Sequence, residues 1–185
     1  ATISLATSTQ TIPISVTLQP SGNLGVFTGA VQTALSPVQN DGRLHLAHGD
    51  TITGTYNDSS PNNLVQAVAT ADLLAPIITN VSATNHFGRE LISWSTDEPA
   101  TSFVYYRSNT TGAFIPVSKP LFKTNHEVQV EHLVEGMSYQ YYVVSKDEAG
   151  NVATNNNNGV FYSFVAQPAS TILLVNAYTY TPDDI

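Results

Sequence analysis

Apolar residues recur at every second position over most of this chain. In SYQYYVVS, Tyr139, Tyr141 and Val143 fall on one side and Gln140, Tyr142 and Val144 on the other. Successive side chains of a strand point to opposite faces, so a period of two builds half-buried strands and not helices. The same period joins Ile12, Ile14, Val16 and Leu18, then Ile92 and Trp94, Val104 and Tyr106, and His126, Val128 and Val130. Pro13 lacks a ladder donor, which places its strand at a sheet edge. Val26 to Leu35 reads as a second strand, and Asp41-Gly42 as a hairpin turn into Arg43 to Leu46. Thr51 to Asp58 puts Ile52 and Tyr56 on one face. Leu64 to Leu74 has helix-forming residues but no clean cap, and Val65, Ala67, Ala69 and Ala71 alternate, so it is expected to be a strand.

Pro76 forces Ala75 into an extended conformation, as a short connection between two sandwiches would need. The expected fold class is all-β, with two tandem antiparallel β-sandwiches. Their bounds are 1–74 and 75–168, and 169–185 forms the start of a further module or a C-terminal strand, with Ser170 to Val175 extended. The two halves show no repeat of fixed period.

Composition narrows the function classes. Hydrophobic residues make up 42% of the chain and charged residues 11%, against about 25% charged in average soluble proteins. Thr, Ser and Asn therefore supply the polar surface, a mix suited to strand faces and turns of extracellular or cell-surface bacterial β-proteins. The formal charge is −8, and the six Lys and Arg residues form no cluster, which argues against nucleic acid and an anionic membrane as partners. Absence of cysteine removes disulfides, thiolate catalysis and Cys-type zinc sites. No apolar run reaches the roughly 18 residues of a membrane span, and no signal peptide is visible. The chain reads as a fragment of a longer protein.

From Pro76 to about Gln167 the sequence resembles a fibronectin type III-like domain. The likeness rests on Pro76, on Ile92 to Tyr106 (ISWSTDEPATSFVYY), on His126 to Asn151, and on the closing FYSF. Trp94 is similar to that family's core tryptophan. Leu133 to Tyr139 is similar to its tyrosine corner, in which a buried ring needs a partner for its hydroxyl, here expected to be a loop carbonyl. Ser145 to Asn151 then reads as the exit of the sixth strand, with Asp147 and Asn151 bonding their own backbone and Gly150 in the αL turn. Asn155 to Asn158 extend the loop into water. The STDEPATS variant resembles modules attached to bacterial secreted hydrolases, such as subtilisin-like proteases and purple acid phosphatase-type metallophosphoesterases. Residues 3–72, with SGNLGVFTGAV and DGRLHLAHGDTITGTYND, resemble an immunoglobulin-like module of large bacterial exoproteins.

Several residues invite a chemical reading. His126 and His132 lack the H-E-x-x-H spacing, since Val130 stands where the second ligand belongs, and they lie about 20 Å apart along a strand. His45, His48 and Asp50 could hold a metal ion if they converge. Asp41, Asp50, Asp58 and Asp72, or Asp147 with Asn151, could offer oxygens to a structural calcium ion, but no D-x-D-x-D run is present. No G-x-S-x-G occurs, and the acid pairs Asp97-Glu98, Asp147-Glu148 and Asp183-Asp184 point to opposite faces of a strand. Asn57, Asn80 and Asn109 open N-x-S/T sequons, which suggests exposed segments. Among the aromatics, Tyr105 and Tyr142 are the pair expected to face outward, and they are the candidate binding residues, with no catalytic or metal residue assigned.

These readings lead to a non-catalytic accessory or spacer fragment of a large secreted or cell-surface multidomain protein. It would position a neighbouring hydrolase domain, need no cofactor, and contact other domains of its own polypeptide. The alternative is an adhesion module for cell-surface glycan or protein. A part of a metal-dependent hydrolase comes third.

Overall fold

The structure is a computed structural model that describes residues 1–35, 40–59, 62–86, 88–108 and 112–168. The strand and module expected over 169–185, and the sequon at Asn109, lie outside these residues. The described residues are all-β with no helix, so no helix among them is long and apolar enough to cross a membrane. The chain divides into two compact units, Ala1–Leu74 and Ala75–Ile185.

The first unit contains β1 (Thr2–Thr7), β2 (Ile14–Thr17), β3 (Gln19–Pro20), β4 (Phe27–Thr28), β5 (Thr33–Leu35), β6 (Leu44–Leu46), β7 (Thr51–Ser59) and β8 (Asn62–Thr70). Antiparallel pairing orders four of them β2-β1-β7-β8. Pro13 directly precedes β2, which is an edge strand, and Ile12 lies outside it with 79% of its surface exposed. Leu44, Leu46 and Ala71 form the buried cluster, packed by Leu5, Ile14, Val31 and Ile52.

Two local expectations for this unit are corrected. Val26 to Leu35 is not one strand. A Cβ on Gly29 would lie 2.6 Å from Leu18 Cδ2 and 3.1 Å from the Thr17 carbonyl, so the chain passes tightly against β2 there and the ladder breaks between β4 and β5. Nor does Asp41-Gly42 close a hairpin. Asp41 Oδ1 does accept the Arg43 N–H at 3.0 Å, the turn its side chain favours. Yet β5 and β6 pair in parallel, Thr33 with Leu44 and Leu35 with Leu46, which no two-residue reversal can produce.

The second unit contains β9 (Ile78–His86), β10 (Arg89–Ser108), β11 (Ile115–Val130), β12 (Ser138–Lys146), β13 (Val152–Asn155) and β14 (Tyr162–Val165). β10 changes partners midway. Its first half pairs with β9 and with the second half of β11, and its second half pairs with β12 and with the first half of β11. The register slips between Ser95 and Ser102, where Pro99 lacks a donor and Thr96 Oγ1 ties to the Glu98 carbonyl at 2.6 Å. Inward side chains of both halves meet in one cluster: Ile92, Trp94, Val104, Val128, Val130, Tyr141 and Val143. Burying each large apolar side chain stabilises by about 1.5–3 kcal/mol, so this alternation holds the unit together.

β13 and β14 both pair with β12, but out of phase. Val143 faces Asn155 and Tyr141 faces Tyr162, so residues 156–161 all stand opposite Tyr142. This is an enlarged bulge. Asn157, Asn158 and Phe161 turn through positive φ of 53°, 55° and 62° to form it. The asparagine run therefore does more than extend into water: Asn155 belongs to β13, and its Oδ1 accepts the Tyr162 hydroxyl at 3.0 Å.

Candidate functional site

Period-two alternation sends Trp94, Thr96, Ser102, His126 and Ser145 inward, where they form a polar cluster at one end of the second unit's core. The indole N–H of Trp94 donates to Ser145 Oγ at 2.9 Å, and the indole stacks on His126 with centroids 4.9 Å apart and planes 7° from parallel. His126 Nε2 lies 2.8 Å from Thr96 Oγ1, and Nδ1 lies 2.8 Å from Ser102 Oγ. The single Thr96 hydroxyl proton goes to the Glu98 carbonyl, which can only accept. Thr96 therefore accepts from His126 Nε2–H, and Nδ1 accepts from Ser102. Burial holds the His126 pKa below its usual 6.5, which keeps the ring neutral.

A hydroxyl bonded to a neutral imidazole is the arrangement of a nucleophile and its base. Ser102 and His126 are each only 3% exposed. Both nevertheless line a cavity of about 430 Å³, together with Trp94, Lys119, Lys123 and Asn125. His132, the other member of the sequence pair, is exposed with φ 58° and does not join His126.

The metal candidates of the first unit are separately engaged. His45 is buried, with Nε2 3.0 Å from Asp41 Oδ1. His48 Nδ1 accepts the Leu73 N–H at 3.2 Å and lies 3.3 Å from Asp72 Oδ1. Asp50 Oδ1 accepts from Ser8 Oγ at 2.6 Å and Thr9 Oγ1 at 2.9 Å, and Oδ2 from the Ala47 N–H at 2.7 Å. The Ser8 hydroxyl, then the Ala47 N–H, hold the Asp50 carboxyl below its usual range. Asp50 thus ties the end of β1 to the turn before β7. Asp58 sits near the far end of β7, roughly 25 Å along the strand, so it cannot share an ion with Asp50.

In the Ser145–Asn151 loop the Asp147 carboxylate bonds its own turn. Asp147 is buried; its Oδ1 accepts from the Gly150 and Asn151 N–H groups at 2.7 and 2.8 Å, and Oδ2 from Asn151 Nδ2 at 2.8 Å. Burial raises its pKa, but these bonds, led by the Asn151 side chain, outweigh burial and leave it lowered. Gly150 has φ 103°, as the turn requires. Tyr139 Oη accepts the Val134 N–H at 2.9 Å. Its partner is thus an N–H and not the expected carbonyl, because the orphan backbone group of that turn is a donor.

The opposite, outer face of the second unit carries Tyr105 and Tyr142. They are cross-strand partners, stacked 4.9 Å apart and 3° from parallel. Neither is fully exposed. Phe114 meets Tyr142 edge-on at 4.9 Å, and Phe161, delivered by the bulge, lies 5.1 Å from Phe114 and 5.9 Å from Tyr142. Burial, then the Tyr105 phenol, push the Tyr142 pKa up. The Arg107 guanidinium covers Phe114 at 4.4 Å and Phe161 at 5.4 Å, while its Nε and Nη2 donate to Gln140 Oε1. A groove of about 450 Å³ runs over Tyr105, Tyr142 and Val144 between Phe114, Phe161, Thr154 and Asn156. No family model matches the chain, and no curated protein matches it.

Sequence alternation identifies Tyr105 and Tyr142 as outward-facing. It misses Phe114, Phe161 and Arg107, because their convergence depends on the bulge register. It also misses the Ser102–His126 contact, although both residues occupy inward positions.

Proposed function

We propose that this chain is a non-catalytic accessory piece of a larger secreted or cell-surface bacterial protein, with a fibronectin type III-like sandwich as its second unit. In this reading β9, the first half of β10 and the second half of β11 form one layer. The other comprises the first half of β11, the second half of β10, β12, β13 and β14. The partner switch in β10, the inward Trp94 and the Tyr139–Val134 bond at the start of β12 all support it. Residues 1–74 would be the immunoglobulin-like companion, and the low charged fraction favours an extracellular setting.

One observation carries the non-catalytic reading. Ser102, His126 and Thr96, the grouping nearest to a hydrolytic one, are buried and satisfy each other's hydrogen bonds. In this reading they brace the wall of the cavity that Ser102 and His126 line. The stacked Tyr105–Tyr142 pair favours a second, compatible reading, in which the outer face docks a partner. Incubating the 185-residue chain with chromogenic esters, phosphomonoesters and casein should release no product above the blank. Saturable hydrolysis of any of these would sink the proposal.

A further inference from the structure

We propose that the cavity beside Ser102 and His126 binds the monoanion of a hydroxylated carboxylic acid about the size of one sugar ring, a uronic acid for example. This goes beyond the accessory reading and does not depend on it. Three strands break register around the cavity. In the β10–β11 ladder Lys119 faces Ser102 and Lys123 faces Ala100, so residues 120–122 stand opposite Thr101 alone. β9 slips beside Ser93 and Ser95, and Asn80 takes φ 55° there. Lys119, Lys123, Asn80 and Ser93 all line the cavity. Bulges re-aim side chains in this way and recur beside functional sites.

The charges at the cavity are unusual for this chain, whose formal charge is −8. Among the described residues Arg43 pairs with Asp41 and Arg89 with Glu131, while Arg107 is engaged by Gln140, Phe114 and Phe161. Lys119 and Lys123 have no ion-pair partner there, nor has Lys146, which lies outside the cavity. Glu127 lines the cavity too, so two ammonium groups against one carboxylate leave a single positive charge. A monocarboxylate matches that balance, whereas a dianion would bring a second charge against Glu127. The remaining lining is neutral and polar. Ser95 Oγ donates to Asn125 Oδ1 at 3.4 Å, which leaves the Asn125 NH₂ to donate. The Asn80 amide and the Ser93 hydroxyl have no hydrogen-bond partner among the described residues. Groups that both donate and accept suit the hydroxyls of a sugar acid. An acidic peptide offers the carboxylate without those hydroxyls. Trp94, Ser102 and His126 hold one another in the wall, so little ordering is left to binding. The volume of about 430 Å³ lies in the range of small-molecule sites.

The test is titration of the whole chain with sodium glucuronate at fixed ionic strength, read by calorimetry and by the fluorescence of Trp94, which lines the cavity. Binding should show a Kd on the order of 1 mM, and glucose should not bind below about 50 mM. Lys119→Gln and Lys123→Gln should each weaken glucuronate about threefold to fivefold. Lys146→Gln should leave its affinity unchanged. Glu127→Gln should tighten it about twofold, a gain that a misfolded variant cannot produce. Absence of glucuronate binding up to about 50 mM, equal binding of glucose, or an equal loss in Lys146→Gln would overturn the inference. Inorganic phosphate bound as tightly as glucuronate would also overturn it, since charge alone would then explain the site. None of these results bears on the accessory reading, which only turnover would sink.

Discussion

The Trp94 indole and the His126 imidazole lie face to face, 4.9 Å apart and 7° from parallel, inside the second unit's core. Each ring directs an N–H to a hydroxyl, Trp94 to Ser145 and His126 to Thr96. The two rings are cross-strand partners on β10 and β11, and their hydrogen bonds reach Ser145 on β12 and Ser102 further along β10 through buried polar groups, which cost stability whenever a partner is lost.

Ser145 is fully buried and accepts the Trp94 N–H. Ser145→Ala leaves that donor without a partner, so unfolding free energy should fall by about 1–3 kcal/mol. Trp94 is the chain's single tryptophan, so its fluorescence in a urea titration reports the loss directly.

Acid should weaken the fold in two steps. The His126 pKa is depressed in the folded state, so the unfolded chain takes up the proton first. Its contribution is complete above about 6.5 and is lost as pH falls through the lower folded value. Urea midpoints should therefore drop between pH 7 and pH 5, and His126→Gln should flatten that slope. Asp147 is also depressed in the folded state, so its contribution is present above the usual carboxyl value of 3.8 and fades only below it. Asp147→Ala should alter the lower window and leave the His126 step in place.

Glu90 acts with the opposite sign. It is 3% exposed, its Oε2 has no hydrogen-bond partner among the described residues, and burial raises its pKa above 4.5. The carboxylate is thus favoured in the unfolded chain, and stability is lost as pH rises past 4.5. Glu90→Gln should raise the melting temperature at pH 7 and change it little at pH 3.5.

Tyr139→Phe removes the acceptor of the Val134 N–H and keeps the ring stacked on Phe164 at 5.4 Å. A loss of about 1 kcal/mol is expected, measured by denaturant unfolding. A change no larger than experimental error would mean that water replaces the phenol oxygen at that corner.

The sequence makes much of the second unit readable. Alternation at Ile92, Trp94, Val128, Val130, Tyr139, Tyr141 and Val143 reflects a period that survives any packing detail, so the inward face is visible without coordinates. Asp147, Gly150 and Asn151 are readable because their bonds are local. Long-range register is not. Phe161 reaches Tyr142 only because six residues bulge out of a ladder, and β5 meets β6 in parallel only because residues 36–43 intervene. At Gly29 the backbone runs so close to Leu18 that any Cβ would clash, which no local rule foresees. Ser102 and His126 meet through pairing on opposite halves of the unit, not through sequence spacing.

Whether the Ser102–His126 pair serves the fold or a reaction is settled most directly on Ser102→Ala. The measurement is its urea unfolding, followed by Trp94 fluorescence, beside ester and phosphoester turnover by the unsubstituted chain. Loss of the hydroxyl leaves buried His126 Nδ1 without its donor, so a destabilisation of about 1–3 kcal/mol is expected, with no turnover in either protein. Unchanged stability together with a hydrolytic activity that disappears in Ser102→Ala would contradict the account.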